Sequence, residues 1–568
     1  MYGLLAAAGC TSPSSNQLAN TPVRVCWPRD PESLNPVTLP NAYAVQINNL
    51  LYQSLLAVDG PRRSYVPWLA TALPTVRREG ARTFLSYRLR PEATWDNGKP
   101  VLARDVLFSL KLLNCPGLPN ESQRSAFSFI QDVQLDTRDP RSFTFVCQGF
   151  TPEYVTASGD FPIMPPYLLD PDSLLRQVSL PQLTSGDSTI GLLPAVRAFA
   201  QTFNEPARWR DPRVLRGSGP YQLVSWQTGQ RLTLERKPQW WADRLPNATP
   251  PLLARPRRVE FHIVPDNATA SLALRRGDLD VYPNMPGPEF ARLRREASGL
   301  FQFFTPASYR VVVLAINTRQ SALRTAGTRQ ALSRLLDVDR LLKATQYGQG
   351  QRTVSLINPR EKWVYQDSLP LISFSPAQAA QLLQQDGWRR TPAGWQRAGT
   401  AQPLQVRMAY AAGERTYETI ALLFQQAAQQ IGVPVTLQPT EPGLLSRQRR
   451  SGEFDLCLLT LYGNPFSYDL RPLLHTSSIG EGGVNHTRFG TAYSDRLLEA
   501  IVATEDSTSK ARLLRKLQTL LYQESPLIPL FFEPNRLVVA KRLGSVRPSG
   551  VEPGYDIGSL QVNAAAER

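Results

Sequence analysis

The chain has 568 residues, 42% of them apolar and 9% aromatic. That is enough apolar surface for several packed cores, so the length predicts roughly three or four structural units and argues against a disordered polypeptide. No run of ~18 apolar residues occurs, which excludes a polytopic helical membrane protein. The formal net charge is +16, from 63 basic and 47 acidic side chains. Arginine supplies most of the basic total and is spread along the whole chain. The densest runs, Arg255-Pro256-Arg257-Arg258, Arg292-Leu293-Arg294-Arg295 and Arg447-Gln448-Arg449-Arg450, are short and far apart. They fit a basic surface better than a nucleic-acid-binding tail, so nucleic acid is not an expected partner.

The start of the chain reads as an address. Residues 4–10 form a small apolar run ending Ala8-Gly9-Cys10, and a Ser/Pro/Asn-rich tether follows to residue 20. This resembles a bacterial lipobox, in which small residues fit a signal peptidase and the cysteine thiol receives the lipid. Ala7 stands where such signals usually carry Leu, and no basic segment precedes the apolar run. The expectation is a lipid-anchored protein in the periplasmic space or on the outer face of the cell membrane, modified at Cys10. Four further cysteines, Cys26, Cys115, Cys147 and Cys457, leave the choice between two disulfides and buried free thiols open.

In chain order, 22–27 alternates as a strand, and 43–56 carries Val45, Ile47, Leu50, Leu51 and Leu55 at helical spacing. Residues 83–89 alternate again, Asp96-Asn97-Gly98-Lys99 signals a turn, and 103–113 predicts a helix with Val106, Leu107 and Leu110 on one face. Strands are predicted at 142–147, at 221–226 and 231–236 as a hairpin, and at 259–264. A helix over 267–276 is closed by Gly277, and a strand follows at 279–282. The β-branched run 310–316 predicts a strand buried on both faces. Helices are expected at 324–343, 377–385 and 417–430, and one or two more over 495–523. Strands are expected up to Leu437, at 454–461 and at 527–532. The 49 prolines argue against long uninterrupted helices, and no internal repeat appears.

Familiar reaction signatures are missing. There is no HExxH, no CxxC, no GxSxG elbow, no GxGxxG and no P-loop, since Gly98-Lys99 precedes Pro100. His262, His475 and His486 lack partners at metal-ligand spacing, so no metal or other cofactor is expected and an enzyme is disfavoured.

The segments fall into a recognisable order. Leu69-Ala70, Thr83-Phe84, Tyr87-Arg88-Leu89-Arg90-Pro91, Thr94-Trp95-Asp96-Asn97-Gly98-Lys99-Pro100-Val101 and Ala103-Arg104-Asp105-Val106 come first. Gly217-Ser218-Gly219-Pro220-Tyr221, Trp240-Trp241, Gly277-Asp278-Leu279-Asp280, Phe454-Asp455-Leu456 and Pro526-Leu527-Ile528-Pro529-Leu530 follow. The set spans about 22–535 and resembles the bacterial extracellular solute-binding proteins of family 5, the oligopeptide-, dipeptide- and nickel-type binding subunits of ABC importers.

The resemblance implies an α/β, bilobal clamp of the type II periplasmic-binding-protein kind with an extra inserted α/β domain. Residues 1–21 are then signal remnant and tether. Lobe I is built from 22–58, 200–308 and 532–568, the inserted domain from 59–199, and lobe II from 309–531, with the strands 310–316 and 527–532 as crossings. It further implies a monomer that captures a peptide or similar small solute between its lobes and passes it to permease and ATPase subunits. An oligosaccharide or a metal chelate as ligand, or a sensing receptor in place of an importer subunit, stay open as alternatives.

By the same resemblance the ligand-facing segments are the loop at Asn41 and Tyr43 and the stretch 458–465. Candidate ligand-binding residues are Asn41, Tyr43, Leu458, Leu461, Tyr462, Asn464 and Tyr468. Peptide-binding members carry Trp and then Asp in the second stretch, and the reading places Leu458 and Leu461 at those positions. A peptide ammonium facing Leu461 lacks its counter-charge, which argues against free-amine peptides. Asp455 and Asp469 are the carboxylates considered in its place, with Asp455 fitting better as a strand-end structural residue. The Gly217–Tyr221 turn and Trp95-Asp96-Asn97-Gly98 are expected to be structural.

Overall fold

The computed structural model describes residues 21–38, 41–392, 394–399, 402–480 and 483–563. The expected lipidation at Cys10 lies outside them. The described chain falls into two compact units. The first takes the residues up to Phe150, Tyr154–Phe304 and those from Arg536 onward; the second takes Thr305–Asn535 with Thr151–Glu153.

The first unit is organised on a mixed seven-stranded sheet in the order Phe301–Phe304, Leu537–Ala540, Val281–Tyr282, Val23–Trp27, Arg258–Ile263, Arg231–Arg236, Tyr221–Gln227. Val23–Trp27 runs parallel to both of its neighbours, and the outer pairs are antiparallel. Its alternation follows from burial on both faces: Val23, Val25 and Trp27 enter one core, and Cys26 enters another with Leu274 and Phe290. Arg24, between them, donates through its backbone N–H (2.8 Å) and Nε (3.1 Å) to Asp280, which also accepts Arg542 Nε at 2.7 Å. The acid of the Gly277–Asp280 motif thus ties three segments distant in sequence, and two guanidiniums offset the cost of burying it.

The stretch 59–199, expected as an inserted domain, groups with the first unit apart from Thr151–Glu153 and has its own antiparallel sheet. Its strands lie in the order Thr75–Glu79, Arg82–Arg88, Ser142–Gln148, Ile130–Leu135. Tyr87, Phe143 and Phe145 cluster on one face of it with ring centroids 5.1–5.8 Å apart, Tyr87 stacked on Phe143 and Phe145 set at a steep angle to both.

The second unit has a six-stranded sheet in the order Gln351–Arg352, Leu527–Pro534, Ala307–Ile316, Leu456–Tyr462, Val406–Ala411, Val435–Thr440. Ala307–Ile316 is central and pairs antiparallel with both neighbours. Val312, Leu314 and Ile316 fill one core, Val311, Val313 and Ala315 another, so the unbroken apolar run reflects burial on both faces. The strands expected as crossings pair with each other inside this unit; the chain passes from unit to unit just beyond them, at 304/305 and 535/536.

Several element boundaries differ from expectation for local reasons. The helix expected over 324–343 is two helices, Ala326–Ser333 and Val338–Gln346, because Asp337 caps the second through Arg340 N–H at 3.1 Å. Over 495–523, where one or two helices were expected, there are two, and Asp506 caps the second by accepting Ser509 N–H at 2.7 Å. The helix expected over 43–56 stops at Leu51, where Tyr52 turns extended and the strand Leu56–Asp59 follows. The strand expected to end at Leu437 is Val435–Thr440.

Candidate functional site

Asn41 and Tyr43 open the helix Ala42–Leu51 in the first unit. The Asn41 Oδ1 accepts the backbone N–H of Tyr43 (3.1 Å) and Ala44 (3.0 Å), and its Nδ2 donates to Glu32 Oε1 at 3.2 Å. Its side chain is therefore an N-cap, which fixes where the helix begins. Tyr43 is half-buried, its ring 4.9 Å from that of Trp27, which in turn stacks on Phe261 at 4.1 Å. The Arg29 guanidinium lies 5.9 Å from the Tyr43 ring centre.

The other five candidates lie in the second unit, along and just beyond the strand Leu456–Tyr462. The strand leaves its core toward its C-terminal end: Leu458 is 1% exposed and Tyr462 73% exposed. Period-two alternation places Leu458 with Leu456 in one core, while Leu461 packs partly on the opposite one with Cys457 and Leu459. Leu458 is thus a core residue in this structure, and it shares no face with Leu461. Gly463 follows Tyr462; its N–H donates to Tyr309 O at 3.0 Å. Asn464 is exposed, and its Oδ1 accepts Phe466 N–H (2.8 Å) and Ser467 N–H (3.0 Å), which sets the turn after the strand.

Tyr468 closes this turn against groups that sequence reasoning did not single out. Its hydroxyl donates to Glu361 Oε2 at 3.3 Å, and its ring meets the half-exposed Trp363 edge to face at 5.4 Å. Tyr309 OH donates to the other Glu361 oxygen at 2.6 Å. Burial, and then the Glu361 carboxylate, push the Tyr468 phenol well above its usual range. The strand end is thus bordered by Tyr462, Tyr468 and Trp363, with the buried Glu361 beneath. Glu361 and Trp363 fall in a loop of no recognisable pattern, and only their three-dimensional neighbours single them out.

The carboxylates considered in sequence are engaged elsewhere. Asp455 accepts Arg407 N–H (2.8 Å), Nε and Nη2 (both 3.1 Å), a bidentate strand-end clamp. Asp469 binds Arg471 in its own turn. His475 Nδ1 accepts Ser477 N–H at 3.1 Å, and burial lowers His486 to about 4. No group of three metal-ligating side chains occurs among the described residues, and none of their helices is long and apolar enough to cross a membrane.

The Gly217–Tyr221 turn packs where no other residue fits. A Cβ on Gly219 would lie 2.4 Å from Leu50 O, and one on Gly217 2.5 Å from Leu51 O. Trp240 and Trp241 both donate their indole N–H to Ser218 O, at 2.9 and 3.0 Å.

Comparison with known proteins places these elements in context. The model of the bacterial extracellular solute-binding proteins, family 5 middle, matches residues 64–480. The nickel-binding periplasmic protein of Escherichia coli K12 is 23% identical over 560 residues, covering 96% of this chain and 95% of its own. Among solved structures, the oligopeptide-binding protein of Thermus thermophilus complexed with a pentapeptide superposes with a TM-score of 0.73 at 20% identity, covering 96% of each chain. NikA from Brucella suis in complex with Fe(III)-EDTA gives 0.74 at 18% identity, covering 96% of this chain and all (100%) of its own. At these identities the structural matches speak to the fold.

Proposed function

Because the chain belongs to the bacterial extracellular solute-binding proteins of family 5, we propose that it captures a small solute outside the cytoplasm and delivers it to the permease of an ABC importer. The family match over residues 64–480 carries this reading. The chain works by binding and release and makes no bond. We place its lipid anchor at Cys10 and its working state as a monomer.

For the second unit we propose ligand contacts at Leu461, Tyr462, Asn464 and Tyr468, with Trp363 as a further wall. For the first unit we propose Asn41 and Tyr43. The Trp-x-x-Asp pattern expected of peptide binders needs its first side chain outside the core. Leu458 is buried, so the pattern moved one step of three along the strand begins at the half-buried Leu461 and ends on the exposed Asn464. In either register the position that meets a peptide ammonium is uncharged.

The relatives' ligands set the range: a pentapeptide for one, nickel or Fe(III)-EDTA for others. A peptide is the main reading. The uncharged strand end favours, as the second, a peptide-like or chelate solute that brings no free ammonium to this position.

Native mass spectrometry of gently purified protein beginning at residue 21, followed by denaturation, tests the function. A ladder of short peptides is the outcome expected of a peptide importer subunit. A single non-peptide mass selects the second reading. No bound mass, together with no thermal shift across peptides, oligosaccharides and chelates, would overturn solute capture. Cys10→Ala should release the full chain from the membrane fraction; unchanged fractionation would remove the lipid anchor from the proposal.

A further inference from the structure

Basic side chains collect at the end of the seven-stranded sheet where the strand Val23–Trp27 begins. Arg258–Ile263 and Val281–Tyr282 run parallel to it, and Phe301–Phe304 takes the same direction through two antiparallel steps, so these strands all start at this end. Two of them follow the helices Asn267–Arg276 and Gly287–Glu296, whose C-termini therefore lie there too. Two of the densest arginine runs in the sequence are brought together in this way. Residues 255–258 enter one strand, and 292–295 end the helix before another. Arg275 and Arg276 close the other helix, and Lys541 and Arg542 follow the antiparallel strand Leu537–Ala540. The row of strand ends from Phe301 to Arg236 covers five strand spacings, about 24 Å.

Arg255, Arg257, Arg276, Arg294 and Arg295 are exposed on this face. Carboxylates are fewer. Asp243 and Glu296 pair with Arg236 and Arg275, and Asp280 is enclosed by Arg24 and Arg542. Glu235 and Asp278 are exposed near the same strand ends. An apolar side chain joins the face: Leu300 is 59% exposed, and its carbonyl accepts Lys541 N–H at 2.9 Å. The chain also enters the unit here. Thr21 lines one groove with Arg236, Arg255 and Arg257, and Arg542 Nη2 donates to Pro22 O at 2.8 Å. Cys10 is eleven residues earlier, a reach of at most roughly 40 Å.

We infer that this end of the first unit is a docking face for an anionic phospholipid bilayer. The arginines meet lipid phosphates, and Leu300 enters the headgroup layer. A lipid on Cys10 holds this end within reach of the membrane, which favours lipid over an acidic protein as its partner. The opposite end of the sheet, where Tyr43 packs on Trp27, is then turned toward incoming solute. Helix dipoles alone favour cations at helix C-termini. They account neither for Arg255–Arg258 at a strand start nor for the exposed Leu300. The orientation rests on the lipid anchor proposed at Cys10; the affinity for anionic lipid does not.

The test is sedimentation of protein beginning at residue 21 with vesicles of about 30% phosphatidylglycerol in phosphatidylcholine, at about 50 mM salt. Binding is expected to be at least ~10-fold tighter than to pure phosphatidylcholine vesicles and to weaken several-fold at about 200 mM salt. Because the whole chain is basic, net charge needs its own control. The triple variant Arg276→Glu, Arg294→Glu, Arg295→Glu should lose at least ~10-fold in binding. Arg415→Glu, Arg447→Glu, Arg450→Glu makes the same charge change at exposed positions of the second unit and should stay within ~3-fold of wild type. A readout that leaves the arginines intact is Leu300→Cys carrying an environment-sensitive dye, which should brighten on the anionic vesicles. Absence of binding to those vesicles, equal loss in both triple variants, or an unchanged dye signal on bound protein would overturn the inference. Cys10→Ala fractionation bears on the anchor alone, so failure of the anchor and failure of this face are told apart.

Discussion

The indole Nε1–H of Trp95 donates to the Asp105 carboxylate at 3.1 Å, joining a turn to the first turn of the helix Ala103–Asn114. The same Asp105 oxygen accepts the backbone N–H of Leu102 at 2.9 Å. Asp105 is buried, and burial raises its pKa although both hydrogen bonds oppose the rise. Asp105→Ala strands two buried donors at once. It should cost about 2–4 kcal/mol in urea unfolding while leaving any solute affinity of the folded protein unchanged. A loss below about 1 kcal/mol would mean that water replaces the carboxylate.

This pair explains why the sequence was readable where it was. The Trp95–Asp105 stretch, the Gly217–Tyr221 turn and Asp280 are motifs because backbone geometry and buried partners leave few residues that fit. The central strands were legible for a related reason, since burial on both faces forces a run such as Val311–Ile316. The ligand-facing segments lack that constraint. Leu458 and Leu461 look alike in one dimension, yet period-two alternation and the depth of the strand place one in the core and the other at the edge of it. Glu361 and Trp363 gain meaning only because Tyr468, more than 100 residues later in the chain, lands beside them. Capping side chains were the other blind spot: Asp337 splits a helix that apolar spacing alone had joined, and Asp506 decides for two helices where the spacing allowed one or two.

Gly219 should tolerate no side chain. Its N–H donates to Leu51 O at 2.9 Å, and a Cβ would lie 2.4 Å from Leu50 O and 2.6 Å from the Leu51 carbonyl carbon. Relief requires the helix Ala42–Leu51 to move off the hairpin strand Tyr221–Gln227. Gly219→Ala is therefore expected to destabilise by at least about 2 kcal/mol and to lower soluble yield. Gly229, where φ is +72° and nothing lies within 4 Å of an added Cβ, is the control: its cost should be limited to backbone strain, about 1 kcal/mol.

Lys237 sets a pH dependence. Its Nζ donates to Gly217 O at 2.5 Å, and burial lowers its pKa from 10.5 to about 8, against the opposing pull of Asp96. Below pH 8 the ammonium is charged in both states and its burial carries a constant penalty. Between about 8 and 10.5 the folded protein gives up this proton first, the unfolded chain holds more protons, and stability attributable to Lys237 rises with pH. Other groups titrate there too, so the informative quantity is the difference from Lys237→Met. Wild type should gain about 2 kcal/mol on the variant between pH 7.5 and 9.5. A pH-independent difference would show that Lys237 keeps its charge or lies open to water.

The cysteine question left open by sequence has a chemical readout. Cys26, Cys115, Cys147 and Cys457 are free and buried, and burial pushes each thiol up to about 12. Thiolate is the reactive form, so native protein beginning at residue 21 should be inert to Ellman's reagent and release four equivalents on denaturation without reductant. Two equivalents or fewer would establish a disulfide and a different packing around it.

The strand end offers the sharpest test of ligand class. Leu461 is partly packed on a core with Leu459, whereas Asn464 is exposed and uses its Oδ1 on the turn amides of Phe466 and Ser467. Aspartate can accept the same two amides, so Asn464→Asp adds a carboxylate with little disturbance. If Asn464 occupies the ammonium position, this variant should bind free-amine peptides at least ~10-fold more tightly than wild type. Leu461→Asp puts a charge against the apolar side of the strand and should mainly lower stability, by about 1–3 kcal/mol. Improvement by Leu461→Asp alone would restore the register that pairs Leu458 with Leu461. Improvement by neither would show that a peptide amine, if bound, meets its counter-charge elsewhere, with Glu361 beneath Tyr468 the next residue to change.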